Sequence, residues 1–249
     1  MIDKMGCAES RARSVPSWLR ITLVTVCLLG NGSLMAQESD GAAAKQALLS
    51  KLQNLTTLSA SFSQAVTDTN GDLVQQLQGV MKLARPAQLR WQTDAPDETL
   101  LIANGETVWY YNAFIEQVTI YDQADAVGQS PLLLLLNAES DDWHSYDVRE
   151  LEAAELAEVG AIEAGSGYVI ETNMQKLSEQ NGGSNSPERL TILLTADNVM
   201  HTLVLDDGRG QTNTITLADQ QINQPIMSDN FQFDVPPNVD VDDQRQARF

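Results

Sequence analysis

The sequence predicts a mainly β protein in which one large antiparallel sheet curls around two helices. About a dozen segments alternate apolar and polar residues with a period of two, which is the pattern of half-buried strands. Turn residues such as the pair Asn104-Gly105 separate these segments, and Asn-Gly is the strongest short signal for a hairpin. Only 42–58 and 130–137 are predicted as clear helices. Strands in hairpin order form an antiparallel sheet whose apolar face the helices must cover, and closure into a barrel stays open.

The first helix is predicted over 42–58, where Ser39 or Asp40 can cap its start. Apolar residues recur at spacings of four, four and three, so that they form one stripe: Ala44, Leu48, Leu52 and Leu55. This stripe must pack against another element.

Three strands with one apolar face each follow the first helix. The residues that share these faces are Leu58, Ala60, Phe62 and Val66, then Leu73, Leu77, Gly79, Met81 and Leu83, then Leu89, Trp91 and Thr93. A turn at 68–72 joins the first two strands, and Pro86 ends the second. Segments 100–103, 107–112 and 115–121 continue the meander.

The second helix, 130–137, begins with Ser130 and Pro131, which is a favoured start, and continues with five consecutive leucines. A short helix that is apolar on every side must be covered by the protein or lie over an apolar hollow. Further strands are predicted at 143–148, 167–172, 190–194, 199–206, 212–217 and 231–235. An acidic insertion at 150–163 is a short helix or a loop, 180–187 is a polar loop, and Asp242-Asp243 belongs to a solvated turn or tail.

Composition limits the class of protein. The chain has 249 residues, of which 43% are apolar, and a formal net charge of −19. This apolar content argues against global disorder and suits one large domain or two small ones. The negative charge argues against a nucleic-acid partner, which needs a basic surface, and against docking on anionic lipid by charge.

Residues 1–36 have the features of a secretory signal peptide. Basic residues lead, a nine-residue apolar run follows at 21–29, and small residues end at Ala36. The run is too short to span a membrane, which takes about 20 residues. We predict cleavage after Ala36 and a single domain over 37–249, with an uncleaved anchor as the alternative. Removal of the leader's four basic and two acidic residues changes the net charge from −19 to −21.

Both cysteines, Cys7 and Cys27, lie in the predicted leader. Neither has the setting of a lipidated cysteine, because Val26 is not small and Cys7 precedes the apolar run. The mature chain would then have no disulfide, thiolate metal site or cysteine nucleophile. His144 and His201 belong to no catalytic or metal-binding motif. We predict no catalytic residue, no metal and no cofactor.

Arg85 does not fit the pattern of its strand. By strict alternation it shares a face with Leu77, Met81 and Leu83. A guanidinium on an apolar face needs acceptors to offset its lost hydration, and helix C-termini present unpaired carbonyls. One hypothesis is that Arg85 is a latch that holds a helix over the concave face of the sheet. The alternative is that Arg85 ends its strand and turns out to water.

Five short motifs occur in a fixed order: LSASFSQ at 58–64, KLARP at 82–86, LRW at 89–91, IANGETVWYYN at 102–112 and VDVDDQR at 239–245. Their order and spacing resemble those of the periplasmic outer-membrane lipoprotein carrier family, LolA, from about Ser39 to Arg245. The Arg-Pro pair followed by a tryptophan and the Val-Asp-Asp-Gln-Arg tail are fairly specific in combination.

The resemblance implies an incomplete, half-open antiparallel β-barrel with a helical lid over an apolar cavity. It implies a monomeric carrier, in the periplasm of a Gram-negative bacterium, for the acyl chains of lipoproteins. An inner-membrane ABC transporter would supply these chains, and an outer-membrane receptor would accept them. In the family, the arginine of the Arg-Pro motif bonds the lid and makes the closed state reversible. That residue is Arg85 here, so the resemblance favours the latch.

The resemblance also nominates cavity residues among those that alternation places on one face. They are Leu58, Phe62, Leu77, Met81, Leu83, Leu89 and Trp91 from strands, and Leu132 and Leu136 from the lid helix. Periodicity alone favours an ordinary filled core for the same residues. Two positions depart from the family pattern: Leu89 stands in place of an aromatic residue, and Ala113 in place of a proline.

Three other classes stay open. A hydrolytic enzyme would depend on His144 or His201. The related outer-membrane receptor is lipid-anchored, and the missing lipidation cysteine argues against it. A generic periplasmic lipid-binding protein would share the cavity and carry another lipid.

Overall fold

The computed structural model describes residues 33–127, 131–159, 164–172 and 189–245. Residues 1–32 of the predicted leader, residues 160–163 of the insertion and the loop 180–187 lie outside these ranges. The described residues form four helices: α1 (Ser33–Gln53), α2 (Gln123–Val127), α3 (Pro131–Leu134) and α4 (Ala153–Glu158). None of these helices combines the length and the apolar content needed to cross a bilayer.

Twelve strands in the described residues confirm the mainly β prediction. They are β1 (Thr57–Thr67), β2 (Leu73–Ala84), β3 (Gln88–Thr93), β4 (Thr99–Asn104), β5 (Thr107–Asn112), β6 (Gln117–Asp122), β7 (Tyr146–Glu150), β8 (Ala164–Thr172), β9 (Arg189–Thr195), β10 (Met200–Asp206), β11 (Thr212–Ile222) and β12 (Asp240–Asp243).

All twelve strands belong to one open sheet. Its order is β12-β6-β5-β4-β3-β2-β1-β11-β10-β9-β8-β7, so β12 and β7 are its two edges. Every pairing is antiparallel except that of β12 with β6, which is parallel. The described strands therefore form an open sheet that does not close into a barrel. This agrees with the incomplete barrel that the resemblance implies.

The concave face of the sheet holds the main core. Buried residues of β4 and β5, such as Ala103 and Val108, share one cluster with Tyr146 of β7 and with Leu134 of α3. Since β5 and β7 lie far apart in the sheet order, the sheet must bend for its two wings to enclose the same core. The stripe on α1 packs against this core next to β7, which confirms that prediction.

The convex face is covered by the chain that leads to β12. Phe231 is buried, and the Phe233 ring lies 6.4 Å from the Trp109 ring and 6.1 Å from the Tyr111 ring. Arg90 donates to the Asn230 carbonyl oxygen at 3.4 Å. This strap spans residues 223–239 and joins β11 to β12, which lie on opposite sides of the β1–β6 wing.

Several element predictions were wrong. The segment expected as a strand at 231–235 is part of the strap, which lies on the convex face and pairs with no strand among the described residues. The tail expected at 242–243 is strand β12. Residues 143–145, the first half of the strand predicted at 143–148, belong to a 3₁₀ helix over 141–145, because Ser140 Oγ accepts a hydrogen bond from the Asp142 N–H and starts a turn there. The first helix covers 33–53 and not 42–58.

Candidate functional site

Arg85 lies directly after β2 and points to the lid segment, which we define as residues 131–137. Its backbone N–H donates to the Thr56 carbonyl oxygen at 2.9 Å, which fixes the end of β2 beside the start of β1. Its guanidinium Nη1 donates to the Leu136 carbonyl oxygen at 3.1 Å. The side chain is partly buried and does not turn out to water.

The Leu136 carbonyl is available because the lid helix ends just before it. The Leu136 N–H bonds the Leu133 carbonyl at 3.1 Å, and the Asn137 N–H bonds the Leu134 carbonyl at 3.2 Å. The carbonyls of the last turn of a helix lack helical partners. A second side chain also holds this end, since Trp143 Nε1 donates to the Asn137 carbonyl at 2.9 Å.

Trp143 is a residue of the lid contact that sequence reasoning missed. It was predicted as part of a strand, yet its indole is buried within the 3₁₀ helix. Its spacing of six residues from Asn137 has no known signature, so no sequence signal could have identified it.

Few acceptors or opposite charges among the described residues offset the positive charge of Arg85. Burial lowers the pKa of Arg85 to about 10, although the side chain stays charged at neutral pH. Its Nε and Nη2 atoms are buried without a hydrogen-bond partner among the described residues, and none of the ion pairs there includes it. Burial of a cation held by one neutral acceptor is costly, so desolvation offsets part of what the Arg85–Leu136 bond contributes to the closed position of the lid.

An apolar hollow lies between the lid and the sheet. Its lining has no polar surface and consists of Met81, Leu83, Leu89, Trp91, Leu135, Leu136, Met200 and Leu203. Its volume is about 10 Å³, the lower limit for one water molecule. With the lid in this position, the hollow is a seam between packed surfaces.

The structure brings five of the nine nominated cavity residues to this lining: Met81, Leu83, Leu89, Trp91 and Leu136. Leu58 and Phe62 are buried in the adjoining core, where the Phe62 ring lies 4.1 Å from the Trp91 ring. Leu77 is half-buried on β2 and is absent from the lining. The side chain of Leu132 lies outside the described part of the structure.

Met200 and Leu203 were not nominated. Both belong to β10, in the other wing of the sheet and more than 100 residues away in the chain from Leu89 and Trp91. By strict alternation Met200 and Leu203 would lie on opposite faces of β10, and a register shift between Met200 and Thr202 brings both to the concave face. Only the bending of the sheet then brings them to the hollow.

A row of side chains continues from the hollow along the concave face. The strand register aligns Met81 of β2, Trp91 of β3, Leu101 of β4, Tyr110 of β5 and Thr119 of β6. Exposure rises along this row from 3% at Met81 to 38% at Tyr110. We call the part formed by Trp91, Leu101 and Tyr110 the aromatic strip. It is a partly exposed apolar surface that leads outward from the seam.

Leu89 and Ala113, the two positions that depart from the family pattern, are accommodated by local contacts. Leu89 is buried in the lining of the hollow, where its side chain supplies apolar surface without a ring. The Ala113 N–H donates to the Glu98 carbonyl oxygen at 3.1 Å, a bond that a proline could not make. The turn after β5 is therefore held by a hydrogen bond in place of a ring.

The described residues contain no group of three His, Cys, Asp or Glu side chains able to hold a metal ion. His144 lies on the 3₁₀ helix and His201 on β10, and both are exposed. The His201 ring bonds the neighbouring Thr202 hydroxyl at 2.8 Å.

The family described as "Outer membrane lipoprotein carrier protein LolA" matches residues 53–234. An outer-membrane lipoprotein carrier protein from Idiomarina loihiensis is 39% identical over 200 residues, which cover 80% of this chain and 88% of that protein. One from Pectobacterium atrosepticum is 32% identical and covers 92% of this chain and 98% of the relative.

Among solved structures, a putative outer membrane lipoprotein-sorting protein domain from Vibrio parahaemolyticus overlaps 78% of this chain and 96% of that chain. The TM-score is 0.45 and the sequence identity is 10%.

Proposed function

Because this chain belongs to the outer-membrane lipoprotein carrier family LolA, we propose that it carries the acyl chains of lipoproteins across the aqueous periplasm. The observation that carries this proposal is the apolar seam beneath a short leucine lid, closed by the Arg85–Leu136 hydrogen bond. The role of Arg85 as a reversible latch, and of the seam as the cargo site, are parts of the same proposal.

The size of the seam requires the lid to move when cargo binds. A volume of about 10 Å³ excludes an acyl chain, so Leu135 and Leu136 must separate from Leu89 and Trp91 to admit one. Each CH₂ group that leaves water contributes about 0.8 kcal/mol, so half of one acyl chain contributes several kcal/mol.

Opening the lid opposes this gain. The Arg85–Leu136 bond breaks, and leucine side chains that are now buried separate from the sheet. A carrier needs this opposition, because cargo held with the full hydrophobic free energy would not be released. The lid therefore reduces the net affinity to a level that permits delivery.

The remaining parts of the proposal follow from the carrier role. Residues 1–36 would direct export and be removed, which leaves 37–249 as one carrier domain in the periplasm. An inner-membrane ABC transporter would load it and an outer-membrane receptor would unload it. The protein would act as a monomer and catalyse no reaction. Its acidic net charge keeps a protein that holds lipid soluble by mutual repulsion.

The proposal is tested with purified 37–249 and everted inner-membrane vesicles from the source organism that contain labelled lipoprotein. We expect ATP-dependent release of lipoprotein in a soluble one-to-one complex, and none without ATP or carrier. Binding of free fatty acid without lipoprotein release would identify a generic lipid-binding protein instead. A lipid-modified mature N-terminus, measured by mass spectrometry, would identify the receptor.

A further inference from the structure

One corner of the sheet presents apolar side chains to solvent without a cover. The turn between β5 and β6 carries Phe114, whose side chain is 85% exposed, and Ile115, which is 56% exposed. A phenylalanine with that exposure is unusual, since aromatic rings are concentrated in cores and at interfaces.

The turn is held rigidly in this position. The Phe114 N–H donates to Asn112 Oδ1 at 3.0 Å, and the Ala113 N–H donates to the Glu98 carbonyl oxygen at 3.1 Å. The Asp240 N–H, at the start of β12, donates to the Glu116 carbonyl oxygen at 2.9 Å. Three segments of the chain therefore fix the turn, and a fixed turn loses little conformational freedom when it binds.

Three residues with exposed carboxylates lie next to the two apolar residues. The same backbone bonds bring Glu98, Glu116 and Asp240 to the turn, and none of the three takes part in an ion pair within the described residues. We call these carboxylates, together with Phe114 and Ile115, the corner surface. It has an apolar centre and an acidic rim.

The apolar centre and acidic rim of the corner surface limit which partner can bind there. The acidic rim is repelled by anionic lipid, so it does not suit insertion of Phe114 into a bilayer. A second copy of this chain would bring the same carboxylates and the same acidic net charge. A protein with an apolar pocket and a rim of lysine or arginine is complementary in both respects.

The position of the corner connects it to the proposed cargo path. Tyr110, at the outer end of the aromatic strip, lies two residues before Asn112, which is roughly 7 Å along β5. A partner bound at the corner would therefore lie beside the open end of that strip. The lid is closed and the seam is too small for an acyl chain, so this corner is formed in the empty state of the carrier.

We propose that the corner surface docks the empty carrier onto the membrane protein that loads it, by insertion of Phe114 into an apolar pocket rimmed by lysine or arginine. This inference rests on the proposed carrier function. Phe114 would be the central contact, and the three carboxylates would speed and orient the encounter.

The test compares Phe114→Ser with Met227→Ser, a matched variant of another exposed apolar residue that is 76% exposed and lies outside the corner. Release of labelled lipoprotein from inner-membrane vesicles with ATP is measured against carrier concentration. We expect Phe114→Ser to raise the concentration for half-maximal release at least tenfold and Met227→Ser to leave it unchanged. Both variants should melt like the wild type and bind cis-parinaric acid with wild-type affinity.

Charge is tested separately with the triple variant Glu98→Gln, Glu116→Gln and Asp240→Asn. It should release lipoprotein more slowly than the wild type at low salt and lose most of the wild type's salt dependence. The control neutralises three exposed carboxylates elsewhere: Glu106→Gln, Glu150→Gln and Asp197→Asn. This control should keep the wild-type salt dependence.

Three results would overturn the docking surface alone: wild-type release by Phe114→Ser, loss of fatty-acid binding in that variant, or Phe114-dependent sedimentation of the wild type with protein-free phosphatidylglycerol vesicles. The last would assign the corner to the membrane itself. A wild type that binds fatty acid but releases no lipoprotein overturns the carrier function, and the docking surface with it.

Discussion

The guanidinium Nη1 of Arg85 donates a 3.1 Å hydrogen bond to the backbone carbonyl oxygen of Leu136, 51 residues further along the chain. The bond joins the end of a sheet strand to the end of the lid, the two surfaces that enclose the seam. A hydrogen bond that involves a charged group contributes about 1.5–3 kcal/mol. Burial of about two to four CH₂ groups of cargo would offset a bond of that size. In the proposed carrier, a bond of this size would hold the lid closed and still allow cargo to open it.

Replacement of Arg85 by leucine tests this latch. We expect Arg85→Leu to bind cis-parinaric acid about tenfold or more tightly, since cargo no longer has to break the bond, and to pass lipoprotein to outer membranes more slowly. The matched control is Arg90→Leu, because Arg90 Nη1 also donates to a backbone carbonyl, at Asn230, but on the convex face. Equal affinity and equal transfer rate in Arg85→Leu and the wild type would disprove the latch.

The small volume of the hollow predicts the effect of a larger side chain in its lining. Leu89→Phe adds volume where about 10 Å³ is free, and overpacking of this kind costs about 1–3 kcal/mol of unfolding free energy. Leu135 and Leu136 can yield most readily, so the Leu136 and Asn137 amides should exchange hydrogen faster. Urea unfolding and hydrogen exchange measure the two effects. The control variant Leu77→Phe, outside the lining, should leave the exchange rates of both amides unchanged. Wild-type exchange rates in Leu89→Phe would show that Leu89 does not line the hollow.

Replacement of two glycines by alanine should change the free energy of unfolding in opposite directions. A Cβ at Gly79 would overlap the Gln92 carbonyl oxygen and lie 2.8 Å from Phe62 Cζ, so Gly79→Ala should lower the unfolding free energy by about 2–3 kcal/mol. It should also displace the Phe62–Trp91 contact, which changes tryptophan fluorescence. At Gly41 in α1 the nearest atom, the Val148 carbonyl oxygen, would lie 3.5 Å away. Gly41→Ala should therefore add about 0.5–1 kcal/mol through helix propensity. The same sign for both variants would contradict this prediction.

Asp243, the last residue of β12, forms an ion pair with Arg245 that changes the pKa of the Asp243 carboxyl group. Hydrogen bonds from Arg245 lower the pKa of Asp243 from 3.8 to about 2. Because the folded-state pKa is lowered, the stabilisation that this pair contributes is complete above about pH 4 and is lost as the pH falls towards 2. Carbon NMR of the Asp243 carboxyl group should show a midpoint near pH 2, and Arg245→Gln should raise it towards 3.8. The control variant Arg189→Gln should leave that midpoint unchanged, and a wild-type midpoint close to 4 would show that the pair does not form in solution.

Local patterns predicted the elements well where burial is one-sided. On β1, the alternation of Leu58, Ala60 and Phe62 with serines corresponds to alternating buried and less buried residues in the structure. The same rule failed at 231–235, where the residues alternate like a strand but lie flat as part of the strap. Alternation reports that one side of a segment is apolar, and it does not report whether a neighbouring strand is present to pair with.

The candidate site was only partly predicted, because alternation identifies an apolar face but not the distant strand that comes to lie against it. Met81, Leu83, Leu89 and Trp91 lie on adjacent strands of one meander, so their common face follows from pairing in hairpin order. Trp143 reaches the lid from only six residues away, through a 3₁₀ helix that alternation does not predict. Met200 and Leu203 reach the hollow from a distant part of the chain. Their positions depend on how far the sheet bends, which is a sum over many contacts and has no local signature.

The sequence by itself determined the apolar faces of the strands, the all-apolar lid, the misfit of a charged residue at Arg85 and the resemblance to a family of lipid carriers. These are properties of composition and spacing, which hold before the chain folds. Only the tertiary structure decided which carbonyl Arg85 meets and that the seam is closed to an acyl chain. It also decided that, among the described residues, Arg85 Nε and Nη2 find no partner and Phe114 stands uncovered at a fixed corner. These properties depend on distances between segments that are far apart in the chain, and packing of the two wings around the lid sets those distances.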